Sequence, residues 1–149
     1  MSLDVDVAAD GVRVPLARRR IADLARGVLR AEGVRDAAIS IAFVRSAAIA
    51  AVNRAHLGHD GPTDVISFPL AAAGGRPLGG DVYIAPEVAA RNAREHGVGV
   101  REEIARLVIH SMLHVLGAEH PEGEGRETSS MWRRQEKLLA RLTPVWRSS

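Results

Sequence analysis

The chain contains no cysteine. Disulfide scaffolds, thiolate zinc sites, iron–sulfur clusters and cysteine nucleophiles are therefore excluded. Any metal must be held by histidine and carboxylate, and six histidines are present. Aromatic residues make up only 3%. That argues against a stacking platform for single-stranded nucleic acid, which needs several exposed rings. Lysine is nearly absent: Lys137 is the only one, and the other basic residues are arginines. Arginine stays protonated far above neutral pH, so the sequence pI of 9.9 reflects that chemistry more than an excess of charge. The formal net charge is only +2, so any contact with a polyanion must come from local arginines. No apolar run approaches the ~20 residues of a membrane span. The N-terminus, Met1 to Asp6, is acidic and alternating rather than a basic segment leading into an apolar one. The expectation is a cytoplasmic protein.

What is present is ordinary globular composition, 46% apolar and 26% charged over 149 residues. That length suits one domain spanning residues 1–149. Ser2–Val7 alternates, with Leu3, Val5 and Val7 on one face, as a half-buried strand does. Pro15 opens a helical pattern through Leu16, Ile21, Leu24, Val28 and Leu29 up to Gly33, with Arg18, Arg19 and Arg20 as a solvated basic cluster. Ala37–Arg45 reads as a second strand, and Ser46 to about His56 as a helix. Thr63–Leu70 reads as a third strand ended by Pro69, and Ala71–Gly80, with four glycines and a proline, as a flexible loop. Asp81–Ala85 is a fourth strand and Pro86 to His96 a helix. Val100–Leu116 is the clearest helix, with Glu102 and Glu103 in the turn where the helix dipole favours them. A last amphipathic helix covers about Arg126–Leu142, with Met131, Leu138 and Leu139 inward. The pattern predicts a single compact α+β domain: a small mixed four-stranded sheet packed with about five helices, and a metal site at the end of a central helix.

That site is predicted from His110-Ser-Met-Leu-His114. Histidines four apart on a helix lie one above the other, so both imidazoles can bind one ion. Gly117 stops the helix, and His120 follows on a loop that can fold back to supply a third ligand. Three imidazoles and no thiolate make the catalytic type of zinc site, in which a position stays open to water whose pKa falls toward ~7. One Zn2+ per chain is expected, with other divalent ions as alternatives. A zinc peptidase would carry Glu directly after the first histidine; Ser111 stands there, which weakens that reading. Glu119, beside His120, is the carboxylate inside the motif, placed to orient an imidazole or to act as an acid/base group.

The stretch His110-Ser-Met-Leu-His114-Val-Leu-Gly-Ala-Glu-His120 resembles the signature of the YbeY family of rRNA-maturation endoribonucleases. So do Gly61-Pro-Thr-Asp-Val-Ile-Ser-Phe-Pro69 and Gly79-Gly-Asp-Val-Tyr-Ile84, in the same order and similar spacing. The resemblance spans almost the whole chain. It implies a compact α+β fold, a zinc site of His110, His114 and His120, and cleavage of single-stranded RNA. It also implies a part in 16S rRNA 3′-end maturation and ribosome biogenesis, with the small ribosomal subunit and its proteins as partners. The chain departs from the family pattern at three places. Leu57 stands where the family usually carries an arginine before a glycine, Ser111 replaces a glycine, and Glu119 replaces an aspartate.

Arginine suits a phosphodiester because its planar fork contacts two oxygens at once. Arg54, three residues before Leu57, is the candidate to reach that space from the last helical turn. His114, Glu119 and Arg54 are thus the candidate catalytic residues. His56 and His59, with Arg54, are candidate phosphate contacts or proton donors. The alternative to an endoribonuclease is a ribosome-associated zinc-binding factor with weak or no hydrolytic activity, which Leu57 motivates.

Overall fold

The computed structural model describes residues 1–57, 64–117 and 130–147. The expected alternation at the N-terminus forms β1 (Leu3–Ala9), half-buried at Leu3, Val5 and Val7 and exposed at Asp4 and Asp6. It pairs in parallel with β2 (Ala37–Phe43), where Ala37, Ile39, Ile41 and Phe43 are buried. Between them runs α1 (Arg18–Ala31). Ile21, Leu24, Val28 and Leu29 line its buried face, and Arg18 and Arg19 are exposed as expected. The helix begins at Arg18 rather than Pro15; Leu16, ahead of it, is still buried.

After α2 (Ser46–Leu57) come β3 (Val65–Leu70) and β4 (Leu78–Ile84). The sheet order is β1-β2-β4-β3, with β2 and β4 parallel and β3 antiparallel to β4. Two expectations are corrected here. Pro69 does not end β3 but lies inside it, opposite Gly80. That is tolerated because β3 is an edge strand, where a missing N–H need not break a ladder. Ala71–Gly80 is not a flexible loop but the turn of a hairpin and the start of its second strand. Gly74 and Gly75 take φ of 55° and 79°, Ala73 and Arg76 exchange backbone hydrogen bonds of 3.1 and 2.8 Å, and β4 begins at Leu78. Paired positive-φ residues are the turn that matches strand twist, which is why two adjacent glycines read as a hairpin.

The remaining helices are α3 (Pro86–His96), α4 (Val100–Val115), α5 (Ser130–Arg141) and the short α6 (Thr143–Trp146). Of the last predicted helix, residues 126–129 lie outside the described residues. The unpredicted α6 is anchored by Trp146, which is buried and donates its indole N–H to the Leu139 carbonyl at 3.0 Å. The six helices described here, against about five expected, sit on a four-stranded mixed sheet, and the α+β class stands. No helix among the described residues is long and apolar enough to cross a membrane.

Register carries one sheet face across all four strands: Val7 pairs with Ile41, Ile41 with Val82, and Val82 with Ser67. Against this face lies the main core, to which α1, α4 and α5 contribute. α4 is the central helix, packing on α1, α3, α5, β3 and β4. A smaller core of Ile49, Ile66, Ala85 and Val88 joins α2 and α3 to β3. Residues alternate sides along a strand, so Ile66 packs toward this second core while Ser67 faces α4.

Candidate active site

Burial makes α4 unusual. From Leu107 to Val115 every residue is buried except His110 and His114. With Arg106 and Glu102 they form a polar stripe at intervals of four, the partly open line on a helix that is otherwise buried from Glu103 to Val115. The imidazole rings stack nearly parallel, with planes 4° apart and centroids 6.5 Å apart. The spacing in the sequence therefore does what it predicted: it places two imidazoles on one face.

Each ring is held at its Nδ1. His114 Nδ1 lies 2.6 Å from Ser67 Oγ. His110 Nδ1 lies 3.0 Å from Gln135 Oε1. Tying one ring nitrogen to an outer partner orients the ring, as is usual for imidazoles that bind a metal. The chemistry of this donor pair is that of residues that could hold a metal ion. His120, Glu119 and His59 lie outside the described residues. Among the described residues no three histidines or carboxylates are grouped so that they could hold a metal ion. His56 stands in the last turn of α2. Arg54 is exposed on the same helix, which packs on β3 and α3.

Ser111 turns away from this stripe. It is fully buried and its hydroxyl donates to the Leu107 carbonyl at 2.7 Å. It cannot serve as the base of a peptidase.

Beside His110 opens a cavity of about 450 Å³, lined among others by Asp64, Asn92, Glu103, Arg106, Trp132 and Gln135. Asn92 donates to Asp64 at 3.2 Å. Arg106 binds Glu136 through two hydrogen bonds of 3.0 Å each, and reaches Glu102 at 3.3 Å and Glu103 at 3.6 Å. Burial alone would raise the Glu136 carboxyl, but hydrogen bonds from Arg106 and Gln135 outweigh it and hold the group below the usual carboxylate range. Donating those bonds to Glu136 raises the Arg106 guanidinium. Glu103 goes the other way. Burial pushes its carboxyl up, Arg106 offsets this only in part, and Asp64 adds to it.

The sequence reading missed Ser67, Gln135, Glu136 and Arg106 as members of this site. A signal existed for Gln135: it interrupts the inward stripe Met131, Leu138, Leu139 of α5, and an amide on an apolar face needs a partner. Ser67 lay inside a quoted motif without a role.

Fold and site together define an α+β protein with a paired-imidazole centre at the end of its central helix. The family model described as Endoribonuclease YbeY matches residues 8–143. This chain belongs to the endoribonuclease YbeY family. It is 42% identical over 125 residues to the endoribonuclease YbeY of Pelotomaculum thermopropionicum, covering 79% of this chain and 81% of that one. Identity to the Carboxydothermus hydrogenoformans protein of the same name is 43% over 114 residues, 76% and 78% of the two chains. To that of Syntrophus aciditrophicus it is 30% over 143 residues, 93% and 89%. Among solved structures, the solution structure of TM1509 from Thermotoga maritima superposes with a TM-score of 0.65 at 24% identity. That match covers 96% of this chain and 91% of that one, and the likeness is one of fold.

Proposed function

We propose that this chain is a zinc-dependent, single-strand-specific endoribonuclease that acts in 16S rRNA 3′-end maturation, in the cytoplasm and in association with the small ribosomal subunit. Membership in an endoribonuclease family supports the coarser part, a hydrolase with RNA as its substrate. The observation that carries the zinc reading is the pair His110 and His114, stacked on one helix face with both Nδ1 atoms engaged by outer partners.

His110 and His114, joined by His120, would hold the ion. A bound zinc ion supplies a Lewis acid and lowers the pKa of water next to it. Ser67 and Gln135 keep the two rings from rotating. Enclosure of α4 on its remaining sides keeps that end of the site rigid. Arg54 is assigned to the phosphate, where a fixed cation offsets the charge gained in cleavage. Glu119 is assigned to proton transfer or to orienting His120, and His56 and His59 to the substrate rim.

Metal analysis of the purified protein with a parallel RNA-cleavage assay tests this. About one zinc per chain is expected, and His114→Ala should abolish both zinc binding and cleavage. A His114→Ala or metal-free protein that cleaves RNA as well as the parent refutes it. The second reading, a zinc-binding ribosome factor with little hydrolysis, rests on Leu57. It predicts zinc and ribosome binding without turnover, and a gain of cleavage in Leu57→Arg.

A further inference from the structure

Gln135 is 2% exposed and sits on α5 between two partners. Its Nε2 donates to Glu136 Oε2 at 3.1 Å, and its Oε1 faces His110 Nδ1 at 3.0 Å. An amide has two ends, and which end faces which neighbour decides what each neighbour must do. Glu136 is ionised and gripped by two Arg106 hydrogen bonds, so it only accepts. The end of Gln135 turned toward it must therefore be the NH2. That leaves the carbonyl oxygen toward His110. A carbonyl oxygen also only accepts, so His110 Nδ1 must carry the ring proton. In a neutral imidazole the lone pair then resides on Nε2.

We infer that Gln135 is a positioning residue for His110, its amide locked in one orientation by the Arg106–Glu136 ion pair so that the ring keeps its lone pair on Nε2. The inference rests on the reading of His110 as a metal ligand. The relay runs from an arginine on the same helix, through two consecutive residues of α5, back to the imidazole one turn further along α4. It differs from the arrangement at His114. The Ser67 hydroxyl can donate or accept, so it holds that ring in place without dictating which nitrogen bears the proton. Gln135 has no such freedom while Glu136 stays ionised and paired.

The test uses the full chain and two readouts. In metal-free protein, two-bond 1H–15N NMR correlations report which nitrogen of His110 is protonated. Zinc affinity is measured separately by competition with a chelator. The parent protein should show the Nδ1–H form. Gln135→Leu removes the acceptor at similar volume and should shift His110 toward Nε2–H and weaken zinc about 10–100-fold. Gln135→Glu restores an acceptor and should return the Nδ1–H form and most of the affinity. Glu136→Leu leaves the amide free to turn over, so both tautomers should appear. A Nε2–H form in the parent protein overturns the proposal. So does an unchanged tautomer in Gln135→Leu or in Glu136→Leu. If Gln135→Leu fails to fold, the parent and Gln135→Glu spectra still decide. A parent protein that shows the Nδ1–H form yet binds no zinc defeats the metal reading, whereas normal zinc binding with the wrong tautomer defeats the relay.

Discussion

Gly80 offers a perturbation whose size follows from its contacts. It lies in β4 on the face covered by α4, where it pairs with Pro69 of β3. A Cβ placed there would lie 2.8 Å from Val115 Cγ2, 3.2 Å from Val115 Cγ1 and 3.2 Å from the Phe68 carbonyl oxygen. Carbon atoms in contact prefer about 3.5–4.0 Å, so in Gly80→Ala Val115 must withdraw by ~0.7 Å or more. Val115 is β-branched, helical and 3% exposed, so it cannot swing aside. The end of α4 has to move with it. His114 is the preceding residue, and its 2.6 Å contact to Ser67 would stretch to about 3.3 Å, beyond good hydrogen-bond length. A site of this kind tolerates only ~0.5 Å of displacement. Overpacking should cost about 1–3 kcal/mol, or ~2–4 °C in Tm for each kcal/mol. Zinc affinity should fall about 10-fold or more. Thermal denaturation and chelator competition measure the two. Adding Val115→Ala removes both colliding methyls and should recover zinc binding, so the double variant binds better than Gly80→Ala alone. Gly80→Ala protein that binds zinc within about twofold of the parent would refute the reasoning, because the step from strand to helix to imidazole would then not exist.

Three further outcomes are expected. Ser67→Ala removes the holder of His114 without adding bulk; zinc affinity should drop toward the ~10-fold end of the range with little change in Tm, and a loss of fold instead would make Ser67 a core residue. Glu103→Gln should raise Tm at pH 7, because burial raises that carboxyl in the folded state: its stabilising contribution is full below the ordinary value of 4.5 and is lost as pH rises through the folded value. Glu136→Gln should lower Tm at pH 7, because its carboxyl is depressed: its contribution is full above 4.5 and disappears as pH falls through the folded value, so the penalty should shrink in acid. Melting curves of both variants from pH 3 to pH 8 check the pair of signs.

Much of this could be read before the fold was seen. Helical period is a local property, so His110 and His114 could be placed on one face from spacing alone, and the buried faces of α1 and α5 followed from theirs. Strand alternation likewise exposed Asp4 and Asp6 and buried Ile39 and Ile41. Where local signals compete, the reading slipped. Pro69 looked like a strand end because its missing N–H counts only against a neighbour, and whether β3 had one on that side depended on its place at the sheet edge. The glycines of Ala71–Gly80 looked like slack in the chain. In fact Gly74 and Gly75 serve the turn, and Gly79 and Gly80 serve close packing: a Cβ at Gly79 would collide with the Ala38 carbonyl oxygen.

Composition and helical spacing limit which donors a metal centre here could use. With no cysteine, a metal centre here must be built from imidazoles and carboxylates, and a four-residue repeat on a helix brings two imidazoles together whatever surrounds them. What holds those imidazoles is set by packing between distant parts of the chain. Ser67 is 47 residues from His114 and Gln135 is 25 from His110, and nothing local relates them. Sheet register brings Ser67 to the covered face, and packing of α5 on α4 brings Gln135 and Glu136 to Arg106. Periodicity assigns a side chain to a face of its own element. Its partner on another element is set by long-range packing, and that is where the proton on His110 is decided.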